Sequence, residues 1–487
     1  MRETLHIAVV GHTNAGKTSL LRTLTRRADF GEVSERPGTT RHVEAIDLRT
    51  EDAQGRPHAA VRFYDTPGLE DAVTLLAHVA QLPGATRPER IRAFLAGPEA
   101  HGVFEQEAKV LRQMLAVDAA FLVIDTREPV LPKYHAELEL LGSCARPVMP
   151  VLNFVRDGAS REAAWRALLS DAGLHAVVRF DAAAPFTGAE RELFHDLGTL
   201  LPAHREALRD VAAHLAREAQ ARRQAACRVL AASLVEGAAL RRRVPEALMQ
   251  QPAQRDAQVA ALRAQIHAHA QRAVDALLAL HGFRAGDAAE APLPALQGRE
   301  GMDLFDPEAL RQTGVRLGQG AAVGAAVGAA ADLAVAGLSL GAGMALGGLI
   351  GGTLAQGWGP LGRRLQSRWQ GLRELQVEDP ALYLMADWQL RLLLALEQRG
   401  HGATARTDGS RAALPPEAAR ALVAALAAAR PARSQPGWFP EGPDSAARMP
   451  AARERCVDEV AAHVQAAAQA AASAAPGAPS SPAAPSR

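Results

Sequence analysis

Short apolar runs alternate with amphipathic stretches along the first 205 residues of the chain. Six of these runs have the length and composition of buried β-strands, at residues 5–10, 42–48, 59–64, 119–124, 147–152 and 175–180. Helical patterns lie between them, at residues 18–26, 105–115, 134–141 and 161–172. The alternation predicts an α/β domain over residues 1–205, with a mainly parallel sheet and helices on both faces. The connection between the third and fourth strands is too long for one crossover, so residues 70–100 are predicted to hold a helical insert.

The remaining part of the chain is patterned mostly as α-helix. Residues 206–317 are rich in Ala, Leu, Arg and Glu and predict a helical region. Residues 359–465 predict a helical C-terminal region, most clearly at 361–400, although Gly and Pro interrupt the pattern at 401–450. Residues 466–487 end in a low-complexity sequence of Ala, Pro and Ser, which predicts a disordered tail.

A Gly/Ala-rich block at residues 318–358 predicts a helical hairpin of unusual composition. It contains 26 consecutive uncharged residues, at 333–358, a length that can cross a bilayer. Its glycines recur four residues apart, as in a glycine zipper whose flat ridge lets another helix approach closely. Three interpretations stay open: a hairpin packed inside a protein domain, a hairpin that enters the inner membrane, and a flexible linker. Arginines flank the block on both sides, so a membrane hairpin would keep both ends in the cytoplasm.

Charge and cysteine content narrow the classes of function. The 487 residues include 54 Lys and Arg against 53 Asp and Glu, so no global field attracts nucleic acid or anionic lipid. The three cysteines lie far apart in the sequence, which argues against a disulfide framework or a zinc site and fits a reducing compartment. The N-terminus shows no secretory signal, which makes the cytoplasm the expected location.

Two polar clusters lie in the part predicted to be helical. The run Arg241, Arg242 and Arg243 is interpreted as a charged helix end, with a contact to phospholipid or RNA as the alternative. His267 and His269 are two residues apart on a predicted helix and therefore point to different faces, so both are expected to be solvated.

A phosphate-binding pattern precedes the first predicted helix. Residues 11–19 read GHTNAGKTS and fit GxxxxGK[ST], with a predicted strand before them. In this arrangement the loop amides and the helix N-terminus surround phosphate oxygens. The lysine neutralises the β- and γ-phosphates, and the next threonine offers its hydroxyl to Mg²⁺. The predicted nucleotide-binding residues of the loop are Gly11, His12, Thr13, Asn14, Ala15, Gly16, Lys17, Thr18 and Ser19.

Two further segments lie at distances that fit a nucleotide switch. RPGTTRH at residues 36–42 precedes the second strand, and DTPG at residues 65–68 follows the third. Asp65, at the end of a strand beside the phosphate loop, is expected to hold Mg²⁺ through water. The Gly68 N–H is expected to contact the γ-phosphate, and a threonine of the earlier segment to reach the metal only while that phosphate is present.

The order GxxNxGKT, PGTTR and DTPG resembles the Era-like and TrmE-type P-loop GTPases, strongly over residues 5–70 and more weakly over 119–155. The resemblance implies GTP as ligand, Mg²⁺ as cofactor and Thr40 as the switch threonine. It also implies a hydrophobic residue, here Leu69, where many small GTPases carry a catalytic glutamine, together with slow hydrolysis by another route. Asn14 matches the family's asparagine that can bind K⁺ near the β- and γ-phosphates; the alternative is that it only shapes the loop.

Guanine recognition normally rests on an NKxD sequence after the fifth strand, and here that strand ends in NFVRDG. Asn153 stands at the expected position, but Phe154 replaces the lysine. Arg156 takes the aspartate position and Asp157 comes one residue late. The loop FDAAAP at residues 180–185 also lacks a clear Ser-Ala-Lys. Asn153 and Asp157 are the predicted base-binding residues, with GTP as the leading ligand and a relaxed or ATP-accepting site as the alternative.

The whole chain also resembles a proteobacterial group in which an Era-like GTPase is fused to a C-terminal domain of unknown function. This second resemblance rests on LNF at 152–154, HAVVRFDA at 175–182 and the Gly-rich block. The predicted function is Mg²⁺-dependent hydrolysis of GTP to GDP and phosphate by a nucleotide switch coupled to a helical C-terminal region. Two alternatives stay open: a membrane-associated, nucleotide-gated scaffold with negligible hydrolysis, and an Era-like RNA- or ribosome-binding GTPase.

The roles predicted for this function fall on few residues. The catalytic residues are Lys17, Thr40 and Gly68. The expected metal ligands are Thr18, Thr40 and Asp65 for Mg²⁺ and Asn14 for K⁺. The expected partners are GTP and GDP and, through residues 318–358, inner-membrane lipid or a membrane protein.

Overall fold

The structure is a computed structural model that describes residues 4–27, 30, 43–51, 57–183, 185, 188–283, 338–339, 371–400, 414–440 and 450–474. The chain divides into two compact units. The first unit is Met1–Ala221 together with Gln398–Ala405, and the second is Arg222–Glu397 together with Arg406–Arg487. Thr40 and most of the Gly/Ala-rich block lie outside the described residues.

A six-stranded sheet forms the centre of the first unit. Its strands are β1 (Leu5–Val10), β2 (Glu44–Glu51), β3 (Pro57–Asp65), β4 (Ala119–Asp125), β5 (Val148–Asn153) and β6 (Val178–Arg179). They lie in the order β2-β3-β1-β4-β5-β6, with β2 antiparallel to β3 and all other pairs parallel. Strands β1, β4 and β5 are almost wholly buried, as expected where helices cover both faces of a sheet. The prediction of an α/β domain with a mainly parallel sheet is confirmed.

Helices pack on both faces of this sheet. In chain order they are α1 (Lys17–Thr25), α2 (Ala72–Ala80), α3 (Arg87–Ala96), α4 (Glu105–Ala116), α5 (Pro132–Ser143), α6 (Glu162–Asp171), α7 (Ala189–Leu200) and α8 (Arg205–Ala239). Alternate residues of β1 point to opposite faces: Ala8 and Val10 join a core with α2 to α6, whereas Ile7 and Val9 join a core with α1, α7 and α8. Helices α2 and α3 occupy the long connection after β3, where the sequence predicts an insert.

The second unit is mostly helical, as predicted for the C-terminal part of the chain. Its further helices are α9 (Glu246–Met249), α10 (Pro252–Leu280), α11 (Asp379–Gln398), α12 (Pro416–Ala429) and α13 (Ala451–Ser473). They share one hydrophobic core with the second half of α8. A small antiparallel sheet of β7 (Arg241–Pro245), β9 (Leu372–Val377) and β8 (Leu338–Ser339), in that order, accompanies them. None of the helices that the structure describes is long and apolar enough to span a bilayer.

The small sheet overturns three predictions of helix. The arginine run at 241–243 begins β7 rather than ending a helix, and β9 precedes the helix in the segment 361–400. Leu338 and Ser339, inside the block predicted as a helical hairpin, form a strand. The reason is that the paired strands are far apart in sequence, whereas periodicity reports only local structure.

Two boundaries of the C-terminal part also differ from the prediction. Helix α12 lies within residues 401–450, where the sequence pattern is interrupted. Helix α13 ends at Ser473, so residues 466–473 are helical and not part of a disordered tail. Burial of Ala467 and Ala468 stabilises this last stretch, which is also rich in alanine, the best helix former.

Candidate nucleotide-binding site

The phosphate loop joins β1 to α1 through a backbone that only glycine allows at two positions. Gly11 and Gly16 have φ of 140° and 95°, and Asn14 between them also has a positive φ of 65°. A Cβ on Gly11 would lie 2.3 Å from the Val123 carbonyl oxygen. A Cβ on Gly16 would lie 2.3 Å from Asn153 Nδ2. The loop is therefore held tightly against the C-terminal ends of β4 and β5.

Lys17 is buried inside this loop. Its Nζ donates hydrogen bonds to the carbonyl oxygens of Gly11, at 3.2 Å, and His12, at 3.0 Å. Burial lowers the pKa of Lys17 from its ordinary value, while the charges of Asp65 and Glu137 act in the opposite direction. A desolvated ammonium group among backbone amides is suited to bind phosphate oxygens.

Asp65 and Thr18 meet beside the lysine. The Thr18 hydroxyl donates to Asp65 Oδ2 at 2.5 Å, and Asp65 Oδ1 is buried with no hydrogen-bond partner among the residues that the structure describes. Burial raises the pKa of Asp65 to about 6, although the Thr18 hydroxyl and the Lys17 charge oppose the rise. A buried carboxylate oxygen without a partner, next to a hydroxyl, is the donor chemistry that Mg²⁺ prefers. These residues fit the Mg²⁺ ion that GTPases of this kind use.

Gly68 touches the phosphate loop directly. A Cβ at this position would lie 2.3 Å from Thr13 Oγ1 and 2.7 Å from the Thr13 nitrogen, so no larger residue fits. Thr13 Oγ1 is itself buried, and no described residue forms a hydrogen bond with it. His12 and Leu69 form a parallel β-bridge beside this contact. The segment DTPG thus lies against the phosphate loop, beside which the sequence predicts it.

Two side chains that the sequence did not assign to the DTPG segment hold the residues that follow it. Glu107 of α4 is buried, and its Oε1 accepts the backbone N–H of Glu70 at 3.2 Å and of Asp71 at 3.1 Å. His12 Nδ1 lies 3.0 Å from the carbonyl oxygen of Leu69. Sequence reasoning gave Glu107 no role and assigned His12 only to the loop, because the partners lie 36, 37 and 57 residues away.

Asn153 connects the phosphate loop to the loop after β6. Its Nδ2 donates to the Ala15 carbonyl oxygen at 2.9 Å, and its Oδ1 accepts the N–H of Ala182 at 2.9 Å. Oδ1 also accepts the Phe154 N–H at 3.0 Å. Phe154 has a φ of 58°, and the Arg127 guanidinium lies 3.7 Å from the centre of its ring. The aromatic ring that replaces the family's lysine is therefore stacked under a cation.

The structure does not bring all predicted site residues together. Asp157 is exposed, and its Oδ1 accepts the N–H of Ala159 at 2.9 Å, which closes a local turn. Asn14 is exposed at the tip of the phosphate loop, and Ser19 lies in the first turn of α1. Thr40 is not among the described residues. The binding role of each of these residues stays a prediction.

The comparisons with known proteins agree with this geometry. Residues 6–154 match the family described as 50S ribosome-binding GTPase, and residues 166–462 match the domain of unknown function DUF3482. The probable GTP-binding protein EngB of Anaeromyxobacter sp. (strain K) is 42% identical over 65 residues, which cover 13% of this chain and 30% of that protein. The tRNA modification GTPase MnmE of Rhizobium meliloti (strain 1021) is 40% identical over 76 residues, 16% of each chain.

A solved structure of Aquifex aeolicus Era bound to GDP and aluminium fluoride matches 37% of this chain and 52% of its own, with 19% identity and a TM-score of 0.26. The matches to EngB and MnmE named above cover less than a third of the length of each of those relatives. The DUF3482 match, in contrast, covers more than half of the chain. The predicted resemblance is confirmed: the chain belongs to the DUF3482 family, and it carries a P-loop GTPase domain of the Era and TrmE type before the domain of unknown function.

Proposed function

We propose that this chain is a Mg²⁺-dependent GTP-binding protein that hydrolyses GTP to GDP and phosphate as a switch coupled to its helical C-terminal region. The observation that carries the proposal is the cluster of buried Lys17, Thr18 and Asp65, in which Asp65 Oδ1 has no hydrogen-bond partner within the described part of the chain. A structural aspartate would have both carboxylate oxygens paired. A buried lysine whose Nζ donates to two loop carbonyls is likewise better satisfied by a phosphate than by the loop itself.

The reaction attaches a water oxygen to the γ-phosphorus and breaks the bond from that phosphorus to the bridging oxygen, so that GDP leaves and one proton passes to solvent. Lys17 neutralises charge on the β- and γ-oxygens, and the Gly68 N–H donates to the γ-phosphate. Thr18, Thr40 and Asp65 would hold Mg²⁺, which when bound adds positive charge beside the same oxygens. Leu69 offers no hydrogen-bonding side chain to the water, which fits slow turnover without a further factor.

Binding of Mg²⁺–GTP and Mg²⁺–GDP to the full-length protein, measured by calorimetric titration, tests the proposal. Lys17→Ala is expected to weaken binding at least about a hundredfold, because it removes a charge-assisted contact to two phosphates. Lys109→Ala is the matched control, since Lys109 pairs with Glu105 on the surface of α4. Wild-type protein that fails to bind GTP, or a Lys17→Ala variant that binds like the control, would contradict the proposal.

The choice of guanine is the less direct part of the proposal. Asn153 stands at the sequence position of the family's base-binding asparagine and bonds to Ala15 and Ala182, and Phe154 can cover a purine face. Asp157 would have to leave the turn that it closes with Ala159 to reach the base. We expect GTP to bind at least about tenfold more tightly than ATP in a competition titration. Equal dissociation constants would support the relaxed site instead.

Potassium is a second, separable part of the proposal. Asn14 is exposed at the loop tip, so its side-chain oxygen is accessible to a cation next to the bound phosphates. If K⁺ at this position neutralises charge that develops in the reaction, exchange of KCl for NaCl slows GTP turnover. Equal rates in the two salts would leave Asn14 with the role of shaping the loop.

The membrane alternative rests on the uncharged stretch at residues 333–358. Binding of the full-length protein to liposomes only with GTP, together with negligible turnover, would favour a nucleotide-gated scaffold at the inner membrane. Binding of RNA that weakens steeply with salt would favour the Era-like RNA-binding alternative. We propose the cytoplasm as the location, with the membrane surface as the place where the first alternative would act.

A further inference from the structure

The loop at residues 181–183 follows β6, at the place where GTPases of this type read the base. Its backbone is held from several directions. The Ala182 N–H donates to Asn153 Oδ1, and the Ala182 carbonyl accepts the Thr23 hydroxyl of α1 at 2.9 Å. Asp181 and Ala182 are buried, and Asp181 Oδ1 accepts the Ala183 N–H at 3.2 Å. The loop therefore has a single, well-supported conformation.

A further hydrogen bond to this loop comes from residue 400, more than 200 residues later in the sequence. The N–H of Gly400 donates to the Ala183 carbonyl oxygen at 2.9 Å. Gly400 lies two residues after the end of α11, and the segment Gln398–Ala405 belongs to the first unit although its neighbours in sequence belong to the second. The contact thus places a residue of the DUF3482 region inside the nucleotide-binding unit.

Only glycine can occupy position 400 in this packing. A Cβ there would lie 1.8 Å from the Ala182 carbonyl oxygen and 2.9 Å from Thr23 Oγ1. Because the nearest atoms belong to the loop backbone, even alanine forces the loop to move. Position 400 therefore sets where residues 182 and 183 lie.

A series of hydrogen bonds links this position to the phosphate loop. It runs from the Ala15 carbonyl of the phosphate loop through both side-chain atoms of Asn153 to Ala182, and from Ala183 to Gly400. Movement of the loop at Gly400 would therefore change the orientation of the asparagine that is expected to meet the base. The hydrogen bonds of Lys17 and the Asp65–Thr18 pair are not part of this series.

We propose that Gly400 is a positioning residue for base recognition, through which the C-terminal region of the chain sets the affinity for guanine nucleotides. The inference rests on the proposed GTP-binding function. It predicts a specific effect of substituting Gly400. The affinities for GTP and GDP fall by the same factor, because both nucleotides carry the same base. Turnover at saturating GTP is retained, because the groups around the γ-phosphate are unchanged.

The test compares Gly400→Ala with Gly142→Ala in the full-length protein. Gly142 lies in α5, and nothing is within 4 Å of a Cβ placed there, so it is the matched control. For Gly400→Ala we expect dissociation constants for GTP and GDP, and the KM for GTP, to rise about tenfold or more, while kcat stays within about threefold. The dissociation constant for ATP should change less than about twofold, so that the preference for GTP over ATP falls.

A merely structural role gives a different result. If Gly400→Ala weakens the binding of GTP and of ATP by the same factor, or leaves GTP binding unchanged, the proposal is wrong. Hydrogen exchange of the wild-type protein covers the case in which Gly400→Ala does not fold. Mg²⁺–GDP is expected to slow exchange of the Gly400 amide at least about tenfold.

Protection of the phosphate-loop amides without protection of Gly400 would overturn the inference and leave the proposed function intact. Absence of protection at both places would instead contradict GTP binding itself. The two failures are therefore distinguishable in one experiment.

Discussion

His12 occupies a position that the phosphate-loop pattern leaves free, yet it has more side-chain partners than most residues of the loop. Its Nδ1 lies 3.0 Å from both the Leu69 carbonyl oxygen and Glu137 Oε1, and its Nε2 lies 2.8 Å from Lys133 Nζ. The imidazole thus connects the phosphate loop to the residue after DTPG and to α5. This arrangement indicates that His12 orients the DTPG segment rather than the nucleotide.

The variant His12→Ala tests this role. We expect the single-turnover rate of GTP hydrolysis to fall about fivefold, since one hydrogen bond that fixes the Gly68–Leu69 backbone is lost. Affinity for GDP should change little, because the loop amides and Lys17 remain in place. His135→Ala, at an exposed position on α5, is the control. A rate equal to that of the control, or a loss of GDP affinity as large as for Lys17→Ala, would exclude an orienting role.

At this scale the sequence predicted that Lys17, Thr18 and Asp65 belong to one site, and the structure brings them together, but the sequence did not predict the contacts that support the surrounding loops. Lys17, Thr18 and Asp65 were accessible to prediction because their patterns are local and their chemistry leaves few alternatives. The contacts of Gly400 and Glu107 were not, because a glycine after a helix and a glutamate inside one are ordinary residues until the fold brings their partners near.

Among the elements, β7 shows most clearly where periodicity stops being informative. Arg241 and Arg243 lie on one face of the strand, and both donate to Glu374 of β9, which is more than 130 residues away. A run of three arginines has no period of its own, and a partner at that distance cannot be inferred from its neighbours. Strands β1, β4 and β5 of the first sheet were predictable because each is apolar enough to be recognised alone.

His269 on α10 corrects another element-scale expectation, because it is buried and not solvated. Its Nε2 lies 2.9 Å from the Ser233 carbonyl oxygen and its Nδ1 lies 3.3 Å from Arg272. Burial lowers the pKa of His269 to about 4; the Ser233 carbonyl raises it, and the Arg272 and Arg453 charges lower it further. The imidazole is therefore neutral in the folded state, and its Nε2–H donates to α8.

This burial predicts an acid-dependent loss of stability in the second unit. An unfolded histidine takes up its proton near pH 6.5, whereas folded His269 does so near pH 4. The contribution is thus fully present above about pH 6.5 and is lost as the pH falls toward 4, by roughly 3 kcal/mol in the free energy of unfolding. Urea unfolding at several pH values should show a smaller pH dependence for His269→Gln than for wild type. The exposed His267→Gln is the control, and equal pH profiles for all three proteins would contradict the prediction.

For the whole molecule, the sequence predicted an α/β part followed by a helical part, but not how the chain is shared between the two units. The composition changes near residue 205, whereas the first unit extends to Ala221 within α8 and also includes the segment Gln398–Ala405. A boundary inside a continuous helix leaves no Gly, Pro or loop signal in the sequence. The return of a short segment to the first unit is a tertiary contact, which no local pattern encodes.

Because each unit has its own hydrophobic core, we expect the full-length protein to unfold in two calorimetric transitions. Mg²⁺–GDP should raise only the unfolding temperature of the first unit, which contains the phosphate loop. At a concentration of about one hundred times its dissociation constant, it adds about 2.7 kcal/mol to the free energy of unfolding of that unit. Lys17→Ala should keep both transitions and lose the shift, whereas Gly142→Ala should keep the shift. A single transition that moves as a whole with Mg²⁺–GDP would instead mean that nucleotide energy reaches every core of the chain, and the division into separately unfolding units would be wrong.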